Sequence, residues 1–530
     1  MQRVMKLVIA LCVGWLALAG VGIAHAKTNG SGTADHTKFK ELQQEFQSGP
    51  EVTKACLACH TEASKQVMHT QHWKWEFVNP QSKQNLGKLH VINNFCTSVQ
   101  SNLKGCAGCH IGYDAMTDKG VKDDPNLVDC LACHATAGYS KPAGLGGNVV
   151  AKNIELPPGS GTIIRGQNLM KIAQSVGKTS RKTCGSCHFM GGGGDAVKHG
   201  DLDSSLEDPD KSIDVHMDAD GLNFTCATCH KTDGHQVPGS RYAPTAVDKE
   251  GALIRGKEGD RNPATCQACH GQKPHKEKQA AKLNNHTSKL ACQVCHVPAF
   301  ARGEIATKMS WDWSTAGKLD ENGKQFTLKD DDGNKIYESR KGDFTYGENV
   351  KPDYIWFNGD VAYTLRDMKV DKAKQPIYIN QYLGSPTDGR SMIWPVKTFR
   401  GKQAIDAEHM TLVVTHVSGA DNTAYWKNLN WENAIRTGME SAGMPFSGKV
   451  DFIETLSQWP ITHMVAPKDK AVGCNECHTK GGRLDKVDGI YIPGRDSIPW
   501  LDNAVKLLAL LTLLGMIGHG VLRIFTSKKH

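Results

Sequence analysis

The chain has no basic tract of the kind that grips nucleic acid. It has no internal repeat of fixed period, which excludes a solenoid or a propeller array. Only one cysteine, Cys96, lies outside both a repeated motif and the N-terminal leader. That scarcity excludes a disulfide scaffold, because almost nothing is left to pair. Regular strand signals are few. What is present instead is cysteine of one kind. Sixteen of the 18 Cys stand in eight copies of Cys-x-x-Cys-His, within 530 residues that hold 23 His. Chance supplies far fewer than one copy at these frequencies. The pattern excludes an ordinary soluble enzyme and a disordered chain.

Cys-x-x-Cys-His is the attachment signature of c-type haem. The two thiols add to the haem vinyl groups, and the adjacent His is placed to bind iron from one face. One turn of helix delivers all three groups. Zinc knuckles also use Cys pairs, but all eight pairs here are followed at once by His. The motifs are Cys56, Cys59 and His60; Cys106, Cys109 and His110; Cys130, Cys133 and His134; and Cys184, Cys187 and His188. Then come Cys226, Cys229 and His230; Cys266, Cys269 and His270; Cys292, Cys295 and His296; and, after a long gap, Cys474, Cys477 and His478. The cofactor set is eight covalently bound haem c. Haem propionates absorb the surplus of 63 Lys and Arg over 55 Asp and Glu, so no nucleic-acid partner is expected.

The sixth iron ligand decides function. A second His closes the iron and leaves an electron carrier, whereas a weaker ligand or none lets substrate bind. Eight His belong to motifs. His25 lies in the leader, His519 in the terminal apolar segment and His530 at the end, and His36 is set aside as too near the mature N-terminus. Eleven remain as distal ligands: His69, His72, His90, His199, His216, His235, His275, His286, His409, His416 and His463. This count permits an all-closed wire as readily as seven closed haems and one open site.

Both ends carry targeting signals. Residues 1–26 read as a secretory signal peptide, with Arg3 and Lys6 before an apolar stretch and Ala24-His25-Ala26 as the cleavage site. Residues 504–525 are apolar enough to span a bilayer, with Trp500 before the span and Arg523, Lys528 and Lys529 after it. The expected topology is a haem domain on the periplasmic side of the bacterial inner membrane, one C-terminal anchor and a cytoplasmic C-terminus. The expected fold is a multihaem cytochrome c: mainly α, with irregular loops around packed haems, little β, and one C-terminal transmembrane helix. Residues 27–300 form a haem-dense domain with seven haems. Residues 301–470 form a haem-poor region, rich in aromatics such as Trp311, Trp313, Trp356, Trp394, Trp426 and Trp431, that packs on the haem core. Residues 471–496 carry the eighth haem, 497–525 the anchor and 526–530 the tail. One hairpin is predicted, pairing 325–328 with 335–337 about Asp332-Gly333-Asn334, with Asp330, Asp331 and Asp332 read as a polar turn rather than a Ca²⁺ site.

Eight motifs, seven crowded and one isolated near the C-terminus, resemble the octahaem tetrathionate reductase family, which is related to pentahaem nitrite reductases and hydroxylamine oxidoreductase. The resemblance runs from about Cys56 to His478. It implies seven bis-His haems and one catalytic haem with a Lys ligand, the second in chain order, at Cys106, Cys109 and His110. It also implies a free Cys near that haem, which Cys96 matches. Lys182, in Ser180-Arg181-Lys182-Thr183-Cys184, matches the Lys ligand, with Lys178 as its rival. No motif His is replaced by Lys, as pentahaem nitrite reductases have it. The implied function is a membrane-anchored periplasmic reductase that delivers several electrons to tetrathionate or a small nitrogen oxide such as nitrite or hydroxylamine. Cys96 as a thiolate would attack the sulfur–sulfur bond, and Arg181 would stabilise negative charge. Two other readings stand beside it: a non-catalytic electron conduit from the quinol pool, and a hydroxylamine-oxidising enzyme. The partners expected are an oxyanion or nitrogen-oxide substrate, a membrane cytochrome b or other quinol-oxidising partner, the cytochrome c maturation machinery and the inner membrane.

Overall fold

The computed structural model describes residues 34–93, 95–248 and 264–527. The leader at 1–26, His25, the end of the tail and His530 lie outside the described residues. In the N-terminal part, short helices hold the motifs: α1 (Gly49–Leu57), α2 (Leu103–Cys106), α3 (Leu131–His134), α4 (Arg181–His188), α5 (Cys226–Cys229), α6 (Cys266–His270) and α7 (Gln293–His296). Ser180 caps α4 by accepting from the Thr183 amide, and Thr265 caps α6 through the Ala268 amide. Such hydroxyl caps satisfy the free amides of a first turn and let very short helices stand. Loops and three two-stranded ribbons join them.

The expectation of a mainly α chain with little β does not hold. Residues 307–460 build a ten-stranded mixed sheet: β1 (Thr307–Asp312), β2 (Thr327–Lys329), β3 (Lys335–Glu338), β4 (Gly342–Gly347), β5 (Asp353–Phe357), β6 (Asp360–Tyr363), β7 (Ile377–Leu383), β8 (Met392–Asp406), β9 (Thr411–Leu412) and β10 (Val450–Pro460). The strand order is β6-β7-β10-β8-β1-β4-β3-β2, with β5 and β9 also paired to β8. β7 runs parallel to β10, and β8 parallel to β1; the other pairs are antiparallel. The sheet escapes sequence reading for a physical reason. β8, its longest strand, is buried on both faces over much of its length, so polar and apolar residues do not alternate along it. Lys397 and Gln403 are buried there among Val396, Phe399 and Ala404. The predicted hairpin is present as β2 and β3; Asp330 accepts from the Asn334 amide (2.8 Å), and Gly333 takes φ +83°, which favours glycine. That turn is held by protein hydrogen bonds, as a polar turn should be.

Aromatic side chains join the sheet to its surroundings. Phe95, Trp311, Trp313, Phe399, Tyr425 and Trp459 form one core, with Trp311 and Trp313 stacked at 4.6 Å and α8 (Trp431–Ser441) packed alongside. A second core joins Tyr354, Phe357, Ile393 and Trp394 to Leu484, Val487 and Ile492, which follow the last motif helix, α9 (Cys474–Cys477). The chain then enters α10 (Pro499–Ser527), 29 residues with mean hydropathy 1.9 over its most apolar window. No residue of α10 is buried, so it is not a core helix of the globular body. It is long and apolar enough to cross a membrane.

Candidate functional site

All 17 cysteines among the described residues are free, and no cluster of three or more His, Cys, Asp or Glu among them could hold a bare metal ion. That separates the Cys pairs from zinc sites, which need four converging ligands. Both cysteines of the last five motifs, together with Cys109 and Cys133, line one continuous cavity of about 4140 Å³. Ordinary ligand pockets reach about 1,000 Å³, so this space fits several large groups side by side.

Seven motif histidines face a second imidazole. The ring centres lie 6.5 Å apart for His60 and His36, 6.5 Å for His134 and His235, and 6.1 Å for His188 and His72. They lie 6.4 Å apart for His230 and His463, 6.0 Å for His270 and His216, 6.2 Å for His296 and His275, and 6.1 Å for His478 and His286. An imidazole nitrogen binds a metal at about 2 Å and lies about 1.1 Å from its ring centre, so two imidazoles across one iron put their centres about 6 Å apart. The donor set therefore fits haem iron at seven motifs. His36, set aside on sequence grounds, is one of the seven. Its short 3-10 helix (His36–Lys38) is capped by Asp35 and places the ring over His60. Replacing His36 by Met is expected to remove one bis-His low-spin signal of seven while all eight haems stay attached, checked by electron paramagnetic resonance; seven persisting signals would refute the pairing.

In seven of these fourteen histidines the other ring nitrogen is held by a protein acceptor. Nδ1–H of His134, His230, His286 and His478 donates to the carbonyls of Gly177 (2.9 Å), Pro238 (2.9 Å), Lys282 (2.8 Å) and Pro493 (2.9 Å). Nδ1 of His235, His275 and His463 pairs with Gln66 Oε1 (2.8 Å), Asn284 Oδ1 (3.0 Å) and Asp201 Oδ2 (3.1 Å). Fixing the proton on Nδ1 leaves Nε2 as the lone-pair donor and orients the ring for a metal.

His110, in the second motif, departs from this arrangement. Among the described residues it has no imidazole across from it. Its Nε2–H donates to the Trp73 carbonyl (2.7 Å), and Nδ1 is buried without a protein partner. The ring is 1% exposed, lies 5.3 Å from Trp73 and 5.0 Å from Trp75, and burial pushes its pKa down to about 4. Lys141 fixes the local backbone: Nζ donates to the carbonyls of His110 (2.5 Å) and Gly112 (3.2 Å) and pairs with buried Asp129 (2.9 Å). Gly108, Cys109 and Ile111 line the large cavity, but His110 does not.

Four remaining distal candidates are held by the protein rather than by a motif imidazole. His69 pairs with the Lys65 carbonyl (2.6 Å), His90 with Glu76 (2.6 Å), and His409 with Asp406 (2.9 Å). His416 pairs with Ser101 on one nitrogen (2.6 Å to its carbonyl) and Asp421 on the other (3.0 Å). His199 differs: it lines the cavity, with its ring 5.4 Å from Trp459.

Beside Cys109 the cavity wall carries three basic side chains that sequence reading did not single out, Lys88, Lys198 and Arg241. Lys88 and Lys198 lie within electrostatic reach of Cys109. Lys198, 7% exposed, has Nζ 4.7 Å from the Trp459 ring centre and no hydrogen-bond partner among the described residues. Burial, with Arg241 and Lys88 nearby, holds its pKa well below the usual range. Arg241 lies over the same Trp459 (5.0 Å) and donates to the Tyr242 hydroxyl (2.8 Å); Lys88 stands over Trp75 (4.3 Å). Lys182 and Lys178 also line the cavity, but both are exposed. Arg181 donates to the Glu207 carbonyl (3.3 Å) and to Asn223, so its fork is engaged by protein. Cys96 lies among Phe95, Trp311 and Trp313, facing a small cavity lined by Ile92, Trp313, Gln403 and Trp431 instead of the large one. Burial pushes its thiol up to about 12. In the sequence Lys198 stands four residues after the glycine-rich run 191–194 and immediately before His199, in a segment read only as a loop.

A family model described as bacterial cytochrome c matches residues 308–481. A protein of Archaeoglobus fulgidus described as uncharacterized is 24% identical over 299 residues, covering 48% of this chain and 99% of its own length. The crystal structure of an octahaem cytochrome c from Shewanella oneidensis is similar with a TM-score of 0.73 and 37% identity, over 85% of this chain and 95% of that one.

Proposed function

Because the chain belongs to the octahaem cytochrome c family, we propose that it is a membrane-anchored reductase whose single reactive haem is the one attached at Cys106 and Cys109. The observation that carries this reading is His110, alone among the motif histidines in having its Nε2 taken by a backbone carbonyl. Eight covalent haem c groups supply one-electron storage and, at an iron with a free face, a place for substrate. Fourteen histidines in seven pairs would hold seven of the haems. The amine of Lys198, whose pKa burial lowers well below the usual lysine range, would be the ligand for the eighth in preference to exposed Lys182.

Lys88 and Arg241 face the same space and draw in an anion. Tetrathionate and nitrite fit that charge better than neutral hydroxylamine. His199 is placed to pass a proton to bound substrate. The body lies on the periplasmic side of the inner membrane, α10 crosses it, and a membrane cytochrome b or another quinol-oxidising protein supplies electrons.

The test is a substrate panel on the purified, haem-loaded protein with a low-potential donor. Tetrathionate or nitrite turnover above that of hydroxylamine, with seven bis-His signals and one distinct haem, is expected. Eight bis-His signals and no turnover would leave only the conduit reading.

The thiol route predicts differently for Cys96. A thiol with a pKa near 12 presents on the order of 10⁻⁵ as thiolate at pH 7. Cys96→Ala is therefore expected to keep tetrathionate reduction within about threefold of the parent; a loss of a hundredfold or more would restore sulfur exchange as the mechanism.

A further inference from the structure

Lys397 lies in the middle of β8 and is 0% exposed. Its Nζ donates to the carbonyls of Val197 (3.1 Å) and Lys198 (3.2 Å) and to Thr307 Oγ1 (2.5 Å). Three acceptors surround the nitrogen, matching the number of donors a lysine head group can offer. Thr307, on β1, passes the restraint on by donating to the Ala196 carbonyl (2.6 Å). Three consecutive carbonyls, at 196, 197 and 198, are thus tied to one face of the sheet. The backbone there needs such a restraint. Ala196 has φ +57°, a left-handed conformation uncommon for a residue with a Cβ.

The register of β8 against β10 adds the second half of the arrangement. Lys397 stands opposite Trp459, and residues directly opposite in an antiparallel pair share a face. Trp459 carries the side chains of the same segment: Lys198 Nζ lies 4.7 Å and the His199 ring 5.4 Å from it. One rung of the sheet therefore holds the segment by its backbone through Lys397 and by its side chains through Trp459.

We infer that Lys397 and Thr307 are positioning residues that aim the Lys198 amine at the haem held by Cys106 and Cys109. The inference rests on the proposed role of Lys198. A buried lysine head group on neutral acceptors is costly in the absence of a specific geometric return. Shifting a ligand by about 1 Å costs on the order of 10²-fold in rate.

The experiment uses the full-length, haem-loaded protein. Lys397→Met keeps the length of the side chain and removes its donors. The expected result is eight attached haems, seven unchanged bis-His signals, a lost or shifted signal from the Lys-ligated haem, and a kcat about 10²-fold lower with KM within about twofold. Thr307→Val, which removes one hydroxyl from an otherwise similar shape, is expected to shift the same signal less. Should Lys397→Met fail to load eight haems, Thr307→Val decides. An unaltered Lys-haem signal and kcat in the variants that load overturn the inference. Lys198→Met separates the two claims. If it leaves that signal in place, the reading of Lys198 falls; if it removes the signal while the clamp variants do not, only the clamp falls.

Discussion

Replacing Lys198 by Met is expected to lower turnover by about 10³-fold, the scale at which one preorganised group at a reacting centre is removed. The same variant is expected to keep all eight haems, because attachment depends on the Cys pairs. The histidine pairs at the other seven motifs are untouched, so their signals should persist. His110 gives the prediction its size. With its Nε2–H on the Trp73 carbonyl and the ring fixed between Trp73 and Trp75, it is not free to replace the lost amine without breaking a buried hydrogen bond. Arg241 and Lys88 would remain, so substrate binding should weaken far less than turnover. Full activity in Lys198→Met would refute the assignment, and loss in Lys88→Met alone would transfer it to Lys88.

Ending the chain after Ser497 is expected to move the protein completely from the membrane fraction to the soluble one. At 1.5 Å per residue a helix of this length is about 43 Å long, against a hydrocarbon core of about 30 Å. Leu508, Leu511, Leu514, Met516 and Leu522 are more than half exposed, and none finds cover in the chain itself. Each apolar residue at mid-bilayer depth gains about 0.3–0.6 kcal/mol on insertion, so the sum over the span is decisive. Haem loading and turnover with a soluble donor should survive, since the body ends in its own packed core at Leu484, Val487 and Ile492. Reduction by quinol-loaded vesicles should be lost. A truncated protein still pelleting with membranes after a high-salt wash would show that the body binds them by itself.

How much the sequence disclosed depended on whether the chemistry is contiguous. Covalent haem attachment needs two thiols and an imidazole from one turn, so all 24 motif residues could be read directly. A distal ligand carries no such constraint. His36 and His60 are 24 positions apart, and His230 and His463 are 233 apart. Six of the seven distal partners were among the eleven candidates, but nothing in composition ranked them above His69, His90, His409 or His416. His36 was lost to a general expectation about chain ends, which Asp35 defeats by capping its turn. The sheet was hidden for the opposite reason to the motifs. Its strands are defined by partners far away in the sequence: Tyr354-Ile355-Trp356-Phe357, on β5, pairs with residues 392–395 of β8, a strand with no alternating pattern. Lys198 was invisible as a site residue because its distinction is burial beside Cys109, which only the folded chain creates.

One hydrogen bond near the C-terminus has a kinetic meaning. His478 is tied through Nδ1 to Pro493, and six further residues reach Pro499, where α10 begins. Fully extended, that stretch spans about 20 Å. With α10 in a bilayer, the last haem pocket is leashed within that distance of the helix's first turn. A redox partner in the same bilayer would then find this pocket by sliding in two dimensions. The encounter would be set by surface density and by the length of a six-residue leash, whatever the concentration of soluble carriers.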